Sequence, residues 1–213
     1  MDKQYWQEYY KKREAPVEPS PFARFVLSQY VAPGDRLVEL GCGNGRDARF
    51  FGEYGVRVIA YDQASSEIDE LSAGNELEDV RYKSGDFTQL DDDGEGFDVV
   101  YSRFTLHSIK AVEQARTLGW AARNLQDGGF LCMEVRGQMN DLYGKGSQVE
   151  GEPDAFIYND HYRRFLDRYE LDEQVAATGL SIILSREETG YAPFGGEDNF
   201  FIRHISTKIP VKE

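Results

Sequence analysis

The chain has 213 residues, which suits one domain with additions, and 40% of them are hydrophobic, enough for a core. A formal net charge of −14 repels phosphate backbones and anionic membrane surfaces, and no basic stripe offsets it, so neither nucleic acid nor a membrane is an expected partner. No apolar run is long enough to span a membrane, MDKQYWQEYYKKREAP has no signal-peptide core, and Cys42 and Cys132 offer neither metal-ligand spacing nor a disulfide framework, so a soluble, cytoplasmic protein without a metal centre is expected.

In chain order, the first segment sets Tyr5, Trp6, Tyr9 and Tyr10 ahead of Lys11, Lys12 and Arg13 with the period of a short helix. The prolines of APVEPSP break it. SPFARFVLSQYV predicts a second helix, with Ser20 as N-cap and Pro21 at its first position, and APGD ends it. RLVEL then predicts a strand, GRDARFFGEYG a helix closed by Gly55, VRVIAYD a strand, SSEIDELSAG a helix and VRYKSGD a strand. After the acidic turn DDDGEG, FDVVYSRFTLHSI opens with a buried strand, AVEQARTLGWAARNL predicts a helix, and DGG turns into the strand FLCMEVRG. Such alternation implies βαβ units, hence a parallel sheet with helices on both faces.

The last third reads differently. From about Gly137 to Asp160 no period is clear, and a loop that long inside a compact domain is often functional. DHYRRFLDRYELDEQVAATG predicts helix, in one or two pieces. LSIILSREETG and DNFFIRHIST predict two final strands, close enough to pair as an antiparallel hairpin through GYAPFGGE. No internal repeat and no linker to a second domain is visible.

Chemistry concentrates in RLVELGCGNGRDARFF. Gly41, Gly43 and Gly45 are spaced two apart directly behind an apolar run, so the backbone there must turn sharply or approach something closely. A glycine turn between the first strand and first helix of a doubly wound sheet sets a ligand beside backbone N–H groups. Asp62 lies at the end of the second strand, 17 residues past Gly45, where a carboxylate can accept from both hydroxyls of a ribose. The pattern G-x-G-x-G departs from the dinucleotide fingerprint G-x-G-x-x-G, and Glu39 would repel a pyrophosphate but suits a cation. A nicotinamide-binding domain, or a glycine turn without a ligand, is the alternative.

VELGCGNGRDARFF resembles motif I of the class I S-adenosylmethionine-dependent methyltransferases. The likeness continues through Asp62 in VIAYDQ, the pair Asp86 and Phe87 in SGDF, the fourth-strand motif FDVVYSRFTLHSI and the fifth strand LQDGGFLCMEVR, covering residues 36–136. It implies an α/β, Rossmann-like doubly wound sheet of seven strands, mostly parallel with an antiparallel C-terminal hairpin. It implies S-adenosyl-L-methionine as cofactor, held by Glu39, Gly41, Cys42, Gly43, Arg46, Asp62, Gln63, Asp86, Phe87 and Ser102. Glu39 would meet the cationic methionyl end, Asp62 the ribose, and Asp86 with Phe87 the adenine. Residues 1–33 are then a helical lid hinged at PVEPSP, residues 36–136 the cofactor core, and residues 137–213 an acceptor-side insertion, helix and hairpin, all within one domain. Packing of the N-terminal aromatics on the sheet edge or on a partner chain is the alternative to the lid.

An acceptor hydroxyl or protonated amine must lose a proton to a base. YSRFTLHS lacks the N/D-P-P-Y/F sequence of enzymes that methylate exocyclic base amines. His107 follows the fourth strand, close to where the family's acceptor lies, and a histidine of near-neutral pKa could act as base, so it is the candidate catalytic base; packing beside the cofactor is its other reading. Tyr10, Arg136, Tyr143, Lys145, His161 and Arg164 are candidate acceptor contacts, His161 and Arg164 sharing one face of the predicted helix. Arginine binds carboxylate and phosphate bidentately, so this cluster suggests an anionic acceptor, with pairing to nearby acids as the alternative. LYGKG, DHYRRF and RFTLHSI also resemble small free-standing bacterial methyltransferases encoded near glycan or surface-polymer genes. The expectation is methyl transfer to a small polar acceptor, anionic or sugar-type, on oxygen. A catalytically silent cofactor-binding partner subunit is the alternative, and the oligomeric state stays open.

Overall fold

The computed structural model describes residues 17–210. Ser20 caps helix α1 (Pro21–Tyr30): its hydroxyl accepts from the Ala23 N–H at 3.0 Å, and Pro21 opens the first turn. There follow β1 (Arg36–Leu40), α2 (Arg46–Glu53), β2 (Arg57–Asp62), α3 (Ser65–Ala73), β3 (Val80–Ser84), β4 (Phe97–Arg103), α4 (Ala111–Asn124) and β5 (Leu125–Val135). The last third comprises β6 (Ser147–Val149), β7 (Glu152–Tyr158), β8 (His161–Arg164), α5 (Arg168–Ala177), β9 (Ser181–Glu188) and β10 (Phe201–Thr207). Short 3₁₀ turns follow β3 and β4, at Phe87–Gln89 and Leu106–Ser108.

Seven strands form one sheet in the order β3-β2-β1-β4-β5-β10-β9. β1 to β5 pair in parallel, and β10 runs antiparallel to both β5 and β9, closing the expected hairpin. The central strands are buried on both faces, which is why they read as continuous apolar runs. Period-two alternation still sorts their side chains. Val38, Val100, Leu131 and Met133 face a core shared with α4 and α5, while Leu37, Val99, Tyr101 and Cys132 face α1 and α2. On that second face Tyr101 lies between Phe22 and Phe51, at 5.1 and 5.2 Å between ring centroids.

Two expectations need correction. Residues 137–160 are not an unstructured loop, because β6, β7 and β8 form a three-stranded antiparallel sheet. The helix expected from Asp160 onward begins only at Arg168, where Asp167 caps it. Asn159 and Asp160 both have positive φ, 52° and 56°, between the paired residues Tyr158 and His161. They make a two-residue hairpin turn of the kind strand twist favours. β7 has one buried residue, Ala155, so it carries no alternation to read. The packed rings of Tyr143, Phe156 and Phe165 anchor the small sheet instead.

Candidate cofactor and acceptor site

Strand order reverses between β1 and β4, so the loops leaving their C-terminal ends diverge and open a crevice. The glycine loop forms one wall and residues 104–109 the other. The walls touch at Gly41, which has φ of 80° and where a methyl group would sit 2.2 Å from Thr105 Cγ2. Gly43, at φ 55°, donates its N–H to Asp62 Oδ2 at 2.9 Å.

Three buried carboxyl groups surround this loop. Asp47 accepts from the Ser20 N–H and hydroxyl, both at 2.7 Å, and from the Tyr101 hydroxyl at 2.8 Å. Asp62, the last residue of β2, also accepts from the Ala64 N–H at 2.9 Å; burial pushes it up, opposed by these amides. Glu39 is different. Its Oε2 is buried with no hydrogen-bond partner among the described residues. Burial, then the charges of Asp47 and Asp62, push its carboxyl well above the usual range. Beside Asp62, the Gln63 amide nitrogen is likewise buried and unpartnered among the described residues. S-adenosylmethionine fits this donor set: a cation would satisfy Glu39, and ribose hydroxyls would complete Asp62 and Gln63.

The other proposed cofactor residues have defined places. Arg46 opens α2, and its Nη1 donates to the Glu18 carbonyl at 3.4 Å, tying the start of the described chain to the loop. The Cys42 thiol is buried, and its N–H donates to the Tyr61 carbonyl at 2.9 Å. Asp86 accepts from the Thr88 N–H and hydroxyl and from Gln89 Nε2; burial would raise it, but these donors hold it below its ordinary value. Phe87 is in the core, and the Ser102 hydroxyl is bonded to that of Thr105.

On the second wall, Phe104 has φ of 60°, a strained conformation for a bulky residue that costs about 1–3 kcal/mol. It is held by stacking on Phe201 at 4.7 Å and by an N–H bond to the Glu134 carbonyl at 2.8 Å. His107 lies 5.9 Å from the Phe104 ring, and its Nδ1 is buried without a partner among the described residues. Burial, then Arg136, His161, Arg163 and Arg164, hold its imidazole well below the usual range, so it is neutral at physiological pH. Arg136 follows β5 and donates from Nη1 to Asn140 Oδ1 at 3.1 Å, while its Nε is buried and unpartnered among the described residues. Burial, then Arg163 and Arg103, push Arg136 down to about 10.

The acceptor-side candidates divide. His161 is buried on β8, and Arg163, two residues on, shares its strand face. Arg164 lies three residues from His161 on a strand, so the predicted shared helix face does not exist. Its Nε donates to the Ile109 carbonyl at 3.2 Å and its Nη2 to Gln114 Oε1. The Tyr143 hydroxyl donates to Asp154 at 2.8 Å, and Lys145 is exposed in the turn before β6. Tyr10, with the expected aromatic lid, lies outside the described residues.

Sequence reasoning missed Arg103, Phe104 and Glu134. Arg103, Glu134 and Arg203 are register neighbours across β4, β5 and β10. The fully buried Glu134 accepts from Arg103 Nε at 3.0 Å and from Arg203 Nε at 2.8 Å. A glutamate inside the apolar run FLCMEV does signal a buried partner, but not which one.

The family profile described as a methyltransferase domain matches residues 12–185. The cypemycin N-terminal methyltransferase of a Streptomyces species is 35% identical over 112 residues, 52% of this chain and 45% of that relative. The chain thus spans under half the length of that curated relative. Among solved structures, an S-adenosylmethionine-dependent methyltransferase of Methanosarcina mazei superposes with a TM-score of 0.74 at 18% identity, over 86% of this chain and 97% of that one. The Burkholderia thailandensis 1,6-didemethyltoxoflavin-N1-methyltransferase, solved with 1,6-didemethyltoxoflavin and S-adenosylhomocysteine, gives 0.67 at 20% identity, over 89% and 77%. With most of its length matched and the crevice at the β1–β4 reversal, the chain belongs to the methyltransferase-domain family, the class I S-adenosylmethionine-dependent methyltransferases.

Proposed function

We propose that this chain methylates a small polar acceptor, anionic or sugar-type, at an oxygen, with His107 taking the proton. When bound, S-adenosylmethionine supplies an electrophilic methyl group on a sulfonium. The chain's own residues orient, exclude water and move the proton. Glu39 holds the cationic end of the cofactor, Asp62 and Gln63 the ribose, and Asp86 with Phe87 the adenine. Gly41 and Gly43, both at positive φ, let the loop turn tightly, and the absent Cβ at Gly41 lets it pack against Thr105.

The observation that carries the reading is His107 itself: a neutral imidazole at the end of β4, with a buried ring nitrogen that has no partner among the described residues. The unprotonated nitrogen of the neutral ring can accept the acceptor's proton. A nitrogen acceptor is the second reading, favoured by the names of the two relatives above, one N-terminal and one N1-directed. The silent-subunit alternative is not favoured, because the family match is accompanied by unsatisfied polar atoms on both walls.

The test is an acceptor screen with methyl-labelled cofactor, followed by identification of the methylated atom by NMR. His107→Gln should lower kcat by about 10²–10⁴-fold while S-adenosylhomocysteine affinity is retained. Equal loss of both would assign His107 to packing. A methylated nitrogen in the product would replace the oxygen reading.

A further inference from the structure

We propose that Arg103 and Arg136 form a seat for an oxyanion, a carboxylate or phosphate, carried by the methyl acceptor, with Phe104 as its floor. The proposal deepens the reading above and rests on it. Arg136 is largely buried, the only hydrogen-bond partner of its guanidinium among the described residues is the neutral Asn140, and no carboxylate there lies within ion-pair distance. In a chain with 38 acidic residues, a guanidinium left without a counter-ion is one whose counter-ion arrives with the ligand.

Arg103 is fixed for the same task. Glu134 holds its Nε at 3.0 Å, and its guanidinium lies over the Phe104 ring at 4.0 Å. The two terminal nitrogens make no hydrogen bond among the described residues, so the fork presents a free edge. Arg136 lies 5.8 Å from the same ring and His107 5.9 Å from it. One strained phenylalanine therefore gathers two guanidiniums and the candidate base within the length of a small molecule. Its stacked partner Phe201 adds ring surface for an acceptor body.

The seat also explains how a weak imidazole can serve as base. Arg136 is the largest of the charges that hold His107 neutral. An oxyanion bound to Arg136 cancels that charge and makes the imidazole more basic only when the acceptor is present.

The test uses benzoate and phenyl phosphate as probes and benzamide as a neutral control, each titrated calorimetrically into the full chain with and without saturating S-adenosylhomocysteine. At least one anion should bind at least tenfold more tightly than benzamide, and the tighter one names the oxyanion. Arg136→Met should weaken that anion at least tenfold, leave S-adenosylhomocysteine affinity within twofold, and keep or raise the melting temperature, because no ion pair is broken. Arg103→Lys, which keeps a cation for Glu134 but loses the planar fork, should weaken the anion by a similar factor. Equal binding of benzamide and the anions would overturn the seat. So would a parallel loss of S-adenosylhomocysteine in Arg136→Met, which would mean that the seat holds the cofactor's own carboxylate. If wild type fails to bind S-adenosylhomocysteine, the cofactor reading fails separately, and the titrations without it still decide the seat.

Discussion

Buried carboxyl groups without donors stay protonated past the ordinary range, and Glu39 is in that position. An ammonium seated against its Oε2 reverses the preference, so cofactor binding should expel a proton from Glu39. Affinity for S-adenosylhomocysteine is then expected to rise with pH from the ordinary carboxylate range upward, levelling off once the raised pKa is passed. Calorimetry in two buffers of different ionisation heat measures the released proton directly. Glu39→Gln should remove the pH dependence and weaken binding by about 1.5–3 kcal/mol, the range for a hydrogen bond to a charged group. Unchanged affinity would take Glu39 out of the site. Gly41 gives a steric counterpart. Gly41→Ala places a methyl 2.2 Å from Thr105 Cγ2 in a left-handed conformation that costs about 1–2 kcal/mol before any clash. Melting temperature and S-adenosylhomocysteine binding should both fall; a variant that melts and binds like wild type would show that the two walls need not touch.

Among the elements, the β7–β8 hairpin carries His161 and Arg163 toward His107, and its turn sets how well they are placed. Asn159 and Asp160 tolerate positive φ better than most residues, and glycine tolerates it best. Asp160→Gly should therefore leave urea stability unchanged or raise it slightly, whereas Asp160→Val should cost about 1–2 kcal/mol. Equal midpoints for both variants would mean that the turn is not under this constraint. The Asn-Asp pair is a readable hairpin signal in YNDH; it is obscured because β8, HYRR, buries only His161 and β7 buries only Ala155, so neither strand shows an apolar alternation. α1 shows the opposite case: Ser20 and Pro21 announce its start locally, and the structure agrees. Its lock onto the glycine loop through Asp47 joins residues 27 apart and left no pattern to read.

For the whole molecule, pH acts through buried histidines. His204 is fully buried on β10, its Nδ1 is 3.1 Å from Asp172, and burial pushes its pKa below the usual value despite that carboxylate. A group depressed in the folded state leaves stability intact above its unfolded pKa of about 6.5 and removes it as pH falls toward the folded value. Glu39 and Asp62, raised by burial, act with the opposite sign, so the histidine contribution is best read as a difference. The stability gap between wild type and His204→Gln, from urea midpoints, should shrink as pH falls from about 7 to about 5, through and below the unfolded value. A constant gap would show that His204 does not titrate on unfolding. No helix among the described residues is long and apolar enough to cross a membrane. Length, composition and local spacing alone determined the parallel sheet, the glycine loop with Asp62 behind it, and the C-terminal hairpin, because buried strands, tight turns and caps each write their needs within a few neighbouring residues. The ladder of Arg103, Glu134 and Arg203, the strained Phe104 against Phe201, and the unpaired Arg136 were decided only by tertiary structure. Arg103 meets Glu134 across 31 residues and Arg203 meets it across 69, and the chemistry of such a charge depends on which partners folding brings to it or withholds.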